Sequence, residues 1–272
     1  MAMHWSASDY QGNGTFNWSQ SNAQRVLDLL SLHPHEHVLD LGCGSADFTL
    51  AHVAPYAASV VGLDASKELL AAAQKNLKSN SSLAPEKKSR VSFVHGDGHT
   101  ASAPFTPHSF DVVFSNAALH WMKKDPSAVV KEVYQVLKPG GRFVAEFGGF
   151  LNTGGVRAAL HRKLRERSID PEPLDPWYFP TEAEYKSKLE TAGFKVELIE
   201  LQPRPTLLPQ GLAGWLKTFS VPFLDALSDE AERQKIIDEL CEELRIDLQA
   251  YDGNWYMMYC RLRFRATKAA SG

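Results

Sequence analysis

Cysteine is scarce: Cys43, Cys241 and Cys260 are the only three in 272 residues. An odd number of widely separated thiols excludes a disulfide framework and a paired zinc site, and predicts free thiols in a reducing, cytoplasmic compartment. Long apolar runs are also missing. Nothing approaches the ~20 residues that span a bilayer, and Met1-Ala2-Met3-His4-Trp5 is not a basic stretch leading into a hydrophobic one, so no membrane partner is expected. Excess charge of one sign is absent too. A formal net charge of −3 gives no global attraction to phosphate backbones, and nucleic acid is not an expected partner. No repeat or low-complexity stretch is visible, and oligomeric state is not legible. What remains is a chain with 44% hydrophobic residues, enough for one sizeable α/β core and a smaller helical piece.

The periodicity supplies the order of elements. Apolar spacing predicts a helix at 22–32, ended by Pro34. Short apolar runs at 37–41, 59–63, 91–95 and 110–114 read as buried strands, separated by helical patterns at 46–53 and 67–78. A helix at 127–137 stops at the turn Lys138-Pro139-Gly140-Gly141, and a fifth strand follows at 142–147. After Gly148-Gly149 come a loop, a basic stretch from Arg157 to Arg167 that reads as a solvated helix face, and a Pro-rich segment. A capped helix at 181–192 leads into a strand at 194–201. Two or three helices fill 203–253, the clearest at 229–250, and a strand at 255–265 closes the alternation. The succession implies a parallel sheet covered by helices on both faces. His33, His35 and His37 lie before the first strand, with Pro34 breaking their spacing, and no metal site is assigned to them.

Chemistry concentrates where strands end. Asp40-Leu41-Gly42-Cys43-Gly44-Ser45-Ala46 occupies the first strand-to-helix turn, the place where open parallel sheets bind nucleotides. The pattern Gly-x-Gly-x-x-Gly is incomplete, because Asp47 takes its last position. An acid two residues before the first glycine suits the amino-acid end of a methionine–adenosine conjugate better than a pyrophosphate. Asp64, ending the second strand, can accept hydrogen bonds from both ribose hydroxyls. Asp97, after the third strand, can accept an adenine amino group, with the amide of Gly98 nearby.

Five stretches in order, Val38 to Gly44, Gly62 to Asp64, Gly96-Asp97, Phe110 to Trp121 and Leu137 to Arg142, resemble the successive motifs of class I S-adenosylmethionine (SAM)-dependent methyltransferases. The chain is most similar to the trans-aconitate methyltransferase-like group of small-molecule enzymes, on Asn116-Ala117-Ala118-Leu119-His120-Trp121 and Ala145-Glu146-Phe147-Gly148-Gly149. Pro176 to Pro180, Arg204 to Thr206 and 255–265 extend the likeness over nearly the whole chain. It departs at Ala46, where many members carry a third glycine, and a slightly tighter loop is expected there. The resemblance implies an α/β fold with a Rossmann-like seven-stranded sheet, its last strand antiparallel, and helical lid insertions. The chain then divides into an N-terminal lid and leading helix (1–35), a cofactor-binding core (36–149), a lid or substrate loop (150–180), core again (181–202), a helical lid insertion (203–254) and the final strand and tail (255–272).

The same resemblance implies SAM as methyl donor, with S-adenosylhomocysteine (SAH) as product, and transfer to a small-molecule acceptor, a carboxylate or hydroxyl oxygen foremost. It extends the cofactor set of Asp40, Gly42, Gly44, Asp64, Asp97 and Gly98 to Tyr10, Trp18, Cys43, Ala65, Gly96, Asn116 and Ala117. His120 is the candidate catalytic residue, able to orient the acceptor or remove its proton. Phe16, Trp121, Phe147 and Trp177 join His120 as candidate substrate contacts. No metal is implied. Two other classes fit the loop residues: a SAM-binding protein of this fold that does not methylate, and an NAD(P)-dependent oxidoreductase.

Overall fold

The computed structural model describes residues 20–270. Among them, seven strands form one sheet in the order β3-β2-β1-β4-β5-β7-β6. In chain order the elements are α1 (Gln20–Leu30), β1 (His37–Leu41), α2 (Asp47–His52), β2 (Ser59–Asp64), α3 (Lys67–Ser79), α4 (Pro85–Lys88), β3 (Val91–His95), β4 (Phe110–Asn116), α5 (Pro126–Val136), β5 (Leu137–Gly148), α6 (Gly154–Arg165), α7 (Glu182–Thr191), β6 (Phe194–Leu208), α8 (Gly211–Phe219), α9 (Val221–Leu224), α10 (Glu230–Leu248) and β7 (Trp255–Lys268). Strands β3, β2, β1, β4 and β5 are mutually parallel. β7 runs antiparallel to β5, with Gly148 opposite Arg261.

The chain divides into two compact units. One holds the described residues up to Phe150 together with Tyr178–Gln202 and the chain from Arg261 onward. Its core has two layers, one on each sheet face. Val129, Val130 and Val133 of α5, with Tyr185 and Leu189 of α7, pack on the face that carries Phe143, Phe147 and Phe264. Val26 and Leu30 of α1, Phe48 of α2 and Leu77 of α3 pack on the other, with Val112, Phe114 and Val144. Each fully buried aliphatic side chain contributes roughly 1.5–3 kcal/mol. Local signals start the helices: Asp125 caps α5 by accepting from Ala128 N (2.9 Å) ahead of Pro126, and Ser66 caps α3 through Leu69 N (3.2 Å). The buried fork of Arg142 joins β5 to the end of α1, reaching both carboxylate oxygens of Glu36 (2.5 and 2.8 Å) and Leu30 O (2.8 Å).

The other unit contains the described residues of Leu151–Trp177 and Pro203–Cys260. Trp177 packs against Trp215 (6.0 Å between ring centroids) and Phe223 (5.7 Å), and Trp215 Nε1 donates to Tyr259 OH (2.7 Å). The basic residues of the α6 region face acids of α10: Lys163 pairs with Glu239 (3.2 Å), Arg167 with Glu232 (3.0 Å), and Arg162 with Glu243. The basic stretch is therefore an inter-helix seam rather than a purely solvated face. Arg157 and His161 converge on the buried Asp175 at 2.5 and 2.9 Å.

Four strands differ in their bounds from the sequence reading by more than one residue, β4 among them, which runs on to Asn116 instead of ending at 114. Lys138-Pro139-Gly140-Gly141 is a bulge within β5: Leu137 stands opposite Phe110, and the register resumes at Arg142 opposite Val112. Gly140 has φ +77°, and a Cβ on Gly141 would lie 2.9 Å from Asp111 O, so the dipeptide serves an irregular strand as well as it would a turn. β6 continues to Leu208 rather than ending at 201, because at the sheet edge a proline costs no ladder bond on its solvent side. β7 runs on to Lys268. No helix among the described residues is long and apolar enough to cross a membrane.

Candidate functional site

The turn after β1 is fixed by backbone bonds to β2. Gly42 N and Cys43 N both donate to Leu63 O (2.7 and 3.2 Å), and Gly44 N donates to Asp64 Oδ2 (2.8 Å). Gly42 has φ +77° and lies so close to the loop after β4 that an added Cβ would stand 2.3 Å from Ala118 Cβ. Gly44, at φ +54°, faces open space, with nothing within 4 Å of such a Cβ. Ala46 adopts φ 61°. The missing third glycine is thus replaced by an alanine in the left-handed region, at a cost of roughly 1–2 kcal/mol, rather than by the tighter loop expected from its size. Gly62 leaves room for Cys43, since a Cβ there would meet Cys43 Sγ at 2.7 Å. Burial pushes the Cys43 thiol pKa up, so this residue offers its backbone rather than a thiolate.

Three carboxylates stand at the ends of β1, β2 and β3. Asp40 is buried and accepts from Thr49 Oγ1. Burial raises its pKa to about 7, with Asp64 adding in the same direction against the Thr49 bond. Asp64 accepts Gly44 N on one oxygen and Ser66 N (2.8 Å) on the other, with the Ala65 amide as a third backbone donor. Ser66 caps α3. Ala65 O meets His95 Nε2 (3.1 Å), and Gly96 N donates to Asp64 O (3.0 Å). Asp97 accepts at Oδ1 from the His99 amide (2.9 Å) and the His99 ring (2.7 Å). Burial raises its pKa, but the His99 bonds outweigh burial and leave it below the ordinary carboxylate value. Gly98 is pressed against Met122, whose Sδ would be 2.6 Å from an added Cβ.

The end of β4 supplies the remaining groups. Asn116 lies in register with Glu146. Its Nδ2 is a buried donor without a hydrogen-bond partner among the described residues, an arrangement that costs ~1–3 kcal/mol unless a ligand completes it. Ala117, at φ 57°, turns the chain off the sheet while its amide donates to Glu146 O (2.7 Å). The next open amide of β5, Gly148 N, donates to His120 Nδ1 (3.3 Å). His120 is buried, stands 5.0 Å from Trp121 and 5.8 Å from Phe179 between ring centroids, and its carbonyl accepts from Tyr178 N (2.9 Å). Burial, aided by the charge of Arg261, holds its pKa well below the ordinary histidine value.

The structure thus brings together Asp40, Gly42, Cys43, Gly44, Asp64 and Ala65 around the first turn, with Gly96, Asp97 and Gly98 after β3, and Asn116, Ala117, His120 and Trp121 after β4. It does not bring Phe147 there. That ring has 0% exposure and packs on Tyr185 (4.9 Å) in the face shared with α5 and α7, because alternate residues of a strand point to opposite faces. Trp177 is likewise a core side chain, of the unit containing α6 and α10. Tyr10, Phe16 and Trp18 lie outside the described residues. The sequence reading missed Thr49, the partner of Asp40, and the buried Arg261 and Arg263. Alternation of arginines at 261, 263 and 265 with Leu262, Phe264 and Ala266 was the available signal for the last two.

A methyltransferase-domain family matches residues 39–145. An uncharacterized methyltransferase of Schizosaccharomyces pombe is 36% identical over 273 residues, covering 97% of this chain and 98% of that protein. A trans-aconitate 2-methyltransferase of Deinococcus radiodurans is 28% identical over 296 residues, covering 98% and 99%. Among solved structures, the YcgJ protein of Bacillus subtilis matches with a TM-score of 0.64 at 19% identity over 93% of this chain and all of its own, a likeness of fold. With more than a third of its residues shared along its length with one methyltransferase, this chain belongs to the SAM-dependent methyltransferases.

Proposed function

We propose that the methyl group goes to an oxygen of a small molecule, a carboxylate oxygen above all. The observation that carries this reading is the state of His120. A backbone amide can only donate, so the bond from Gly148 to Nδ1 leaves the ring proton on Nε2. The depressed pKa keeps the ring neutral. Such a ring donates a hydrogen bond through Nε2 but has no lone pair there to take a proton. Of the two roles open to it on sequence grounds, orienting the acceptor fits and removing a proton does not. A carboxylate is already ionised near neutral pH and needs only alignment, whereas a phenol, alcohol or ammonium must first lose a proton. The name of the Deinococcus relative puts its methyl transfer on trans-aconitate, a carboxylate, in keeping with that chemistry.

The residues at the strand ends fit the cofactor. The open space beside Gly44 and the orphaned Nδ2 of Asn116 are features a ligand would complete. Asp64 suits the ribose hydroxyls, and Asp97 with the Gly98 amide suits the adenine edge. Asp40, the 42–44 backbone, Asn116 and Ala117 suit the methionine end. When bound, SAM supplies an electrophilic methyl group on a sulfonium. The free thiols of Cys43, Cys241 and Cys260 support a cytoplasmic setting.

The test is transfer of labelled methyl from SAM to small carboxylic acids, beginning with trans-aconitate, and to phenols. The expected product is a base-labile methyl ester formed one-for-one with SAH, and His120→Ala lowers kcat by about 10–100-fold, with partial recovery in His120→Gln, whose amide can donate. Label confined to phenols in base-stable form, or unchanged turnover in His120→Ala, would overturn the reading.

A further inference from the structure

The loop after β3 contains a histidine to which neither the fold nor the chemistry above gives a task. Asp97 Oδ1 takes two hydrogen bonds from one residue, His99, through its amide (2.9 Å) and its ring Nδ1 (2.7 Å). The far side of the same ring is also engaged, since the Asp125 amide donates to His99 Nε2 (3.3 Å). That amide fixes the tautomer: Nε2 must be unprotonated, so Nδ1 carries the proton and donates it toward Asp97. Asp125 in turn caps α5. The ring therefore joins a rigid helix end to one oxygen of Asp97, while Oδ2 takes part in neither His99 bond and the side chain remains 63% exposed.

We propose that His99 is a positioning residue for adenine recognition, clamping Asp97 Oδ1 against the start of α5 so that Oδ2 is presented to the exocyclic amino group of the cofactor. The inference rests on the assignment of Asp97 to that amino group. An unclamped aspartate on an exposed turn samples several rotamers, and ordering it on binding costs free energy that the clamp removes beforehand. The loop does not depend on His99 for its place. Ser102 N donates to Glu132 Oε2 of α5 (2.9 Å), and Gly98 packs on Met122, so removal of the ring leaves the loop docked and Asp97 held by the amide of residue 99 alone, without the tie to the start of α5.

The experiment is calorimetric titration of the full chain with two ligands, SAH and S-inosylhomocysteine, in which a carbonyl oxygen replaces the adenine amino group. Asp97 attracts the first and opposes the second. Wild-type protein is expected to prefer SAH by about 30-fold or more. His99→Ala weakens SAH by about tenfold and leaves the inosyl ligand within about twofold, and His99→Gln, with a donor and an acceptor on one side chain, recovers most of the preference. Equal weakening of both ligands in His99→Ala marks a structural residue and overturns the proposal. Asp97→Asn separates the two levels: if it leaves the preference unchanged, the assignment of Asp97 fails and the proposal with it. If Asp97→Asn abolishes the preference while His99→Ala does not touch it, the proposal alone fails.

Discussion

At the carboxyl end of β1 the backbone decides which side chains are tolerated. Gly42 combines a left-handed φ with a neighbour 2.3 Å from any Cβ it might carry, and its amide and that of Cys43 share one carbonyl of β2. Between α6 and α10 the reverse holds. Ordinary helical backbone is joined there by side chains, with Lys163 and Arg167 opposite Glu239 and Glu232. A backbone-determined site accepts few sequences and so leaves a motif, whereas a seam of partly buried ion pairs between two helices accepts many. The contrast explains why a cofactor can be read from this chain while its acceptor has to be argued from one histidine.

The contrast can be broken by mutation. The largest effect is expected from Gly42→Ala, which brings a 2.3 Å contact and a strained φ together. It should destabilise the protein by more than about 3 kcal/mol and abolish SAH binding, as read by thermal unfolding and calorimetry. Survival with full affinity would show that the turn is not backbone-limited. Trp177→Ala empties a buried position in the other unit and should cost about 3–5 kcal/mol. A loss below 1 kcal/mol in denaturant titration would place Trp177 back among the surface contacts.

A smaller effect depends on pH. Folded Asp40 keeps its proton up to about pH 7, whereas an unfolded carboxyl releases it near 3.8. Between those values the unfolded state binds fewer protons, so stability falls as pH rises across the window and levels off above it. Asp40→Asn, which retains an acceptor for Thr49, should therefore be more stable than wild type at pH 8 by on the order of 2 kcal/mol, with the gain vanishing towards pH 4. A gain independent of pH would contradict the burial of an ionisable Asp40. The smallest effect is Gly44→Ala, where only the left-handed φ opposes the methyl. It should cost about 1 kcal/mol in stability but more than tenfold in SAH affinity, since the space it fills is the one proposed for the cofactor. Unchanged affinity would move the ligand elsewhere.

Legibility follows the same division. β1 and β3 have the bounds that sequence gives, and β2 exceeds them by Asp64 alone, because a buried parallel strand is an apolar run cut off by Asp or Gly. β5 and β6 were misjudged at prolines and glycines. Pro139, Pro203 and Pro205 signal a break locally, yet a bulge and a sheet edge absorb them, and only the paired strands reveal that. The places of Asp64 at the end of β2 and of Asp97 just after β3 were legible from the apolar runs before them. Phe147 was not, because a motif lists residues without saying which face of the sheet each one takes. The contact between the His99 ring and the Asp125 amide was equally hidden, since the two are 26 residues apart in sequence.

The most direct test of the cofactor cradle is calorimetric titration of the purified chain with SAH, wild type beside Asp64→Asn. Saturable one-to-one binding, weakened about 10–100-fold by loss of the carboxylate, is the predicted result. Absence of binding to wild type, or equal affinity in both proteins, would contradict it.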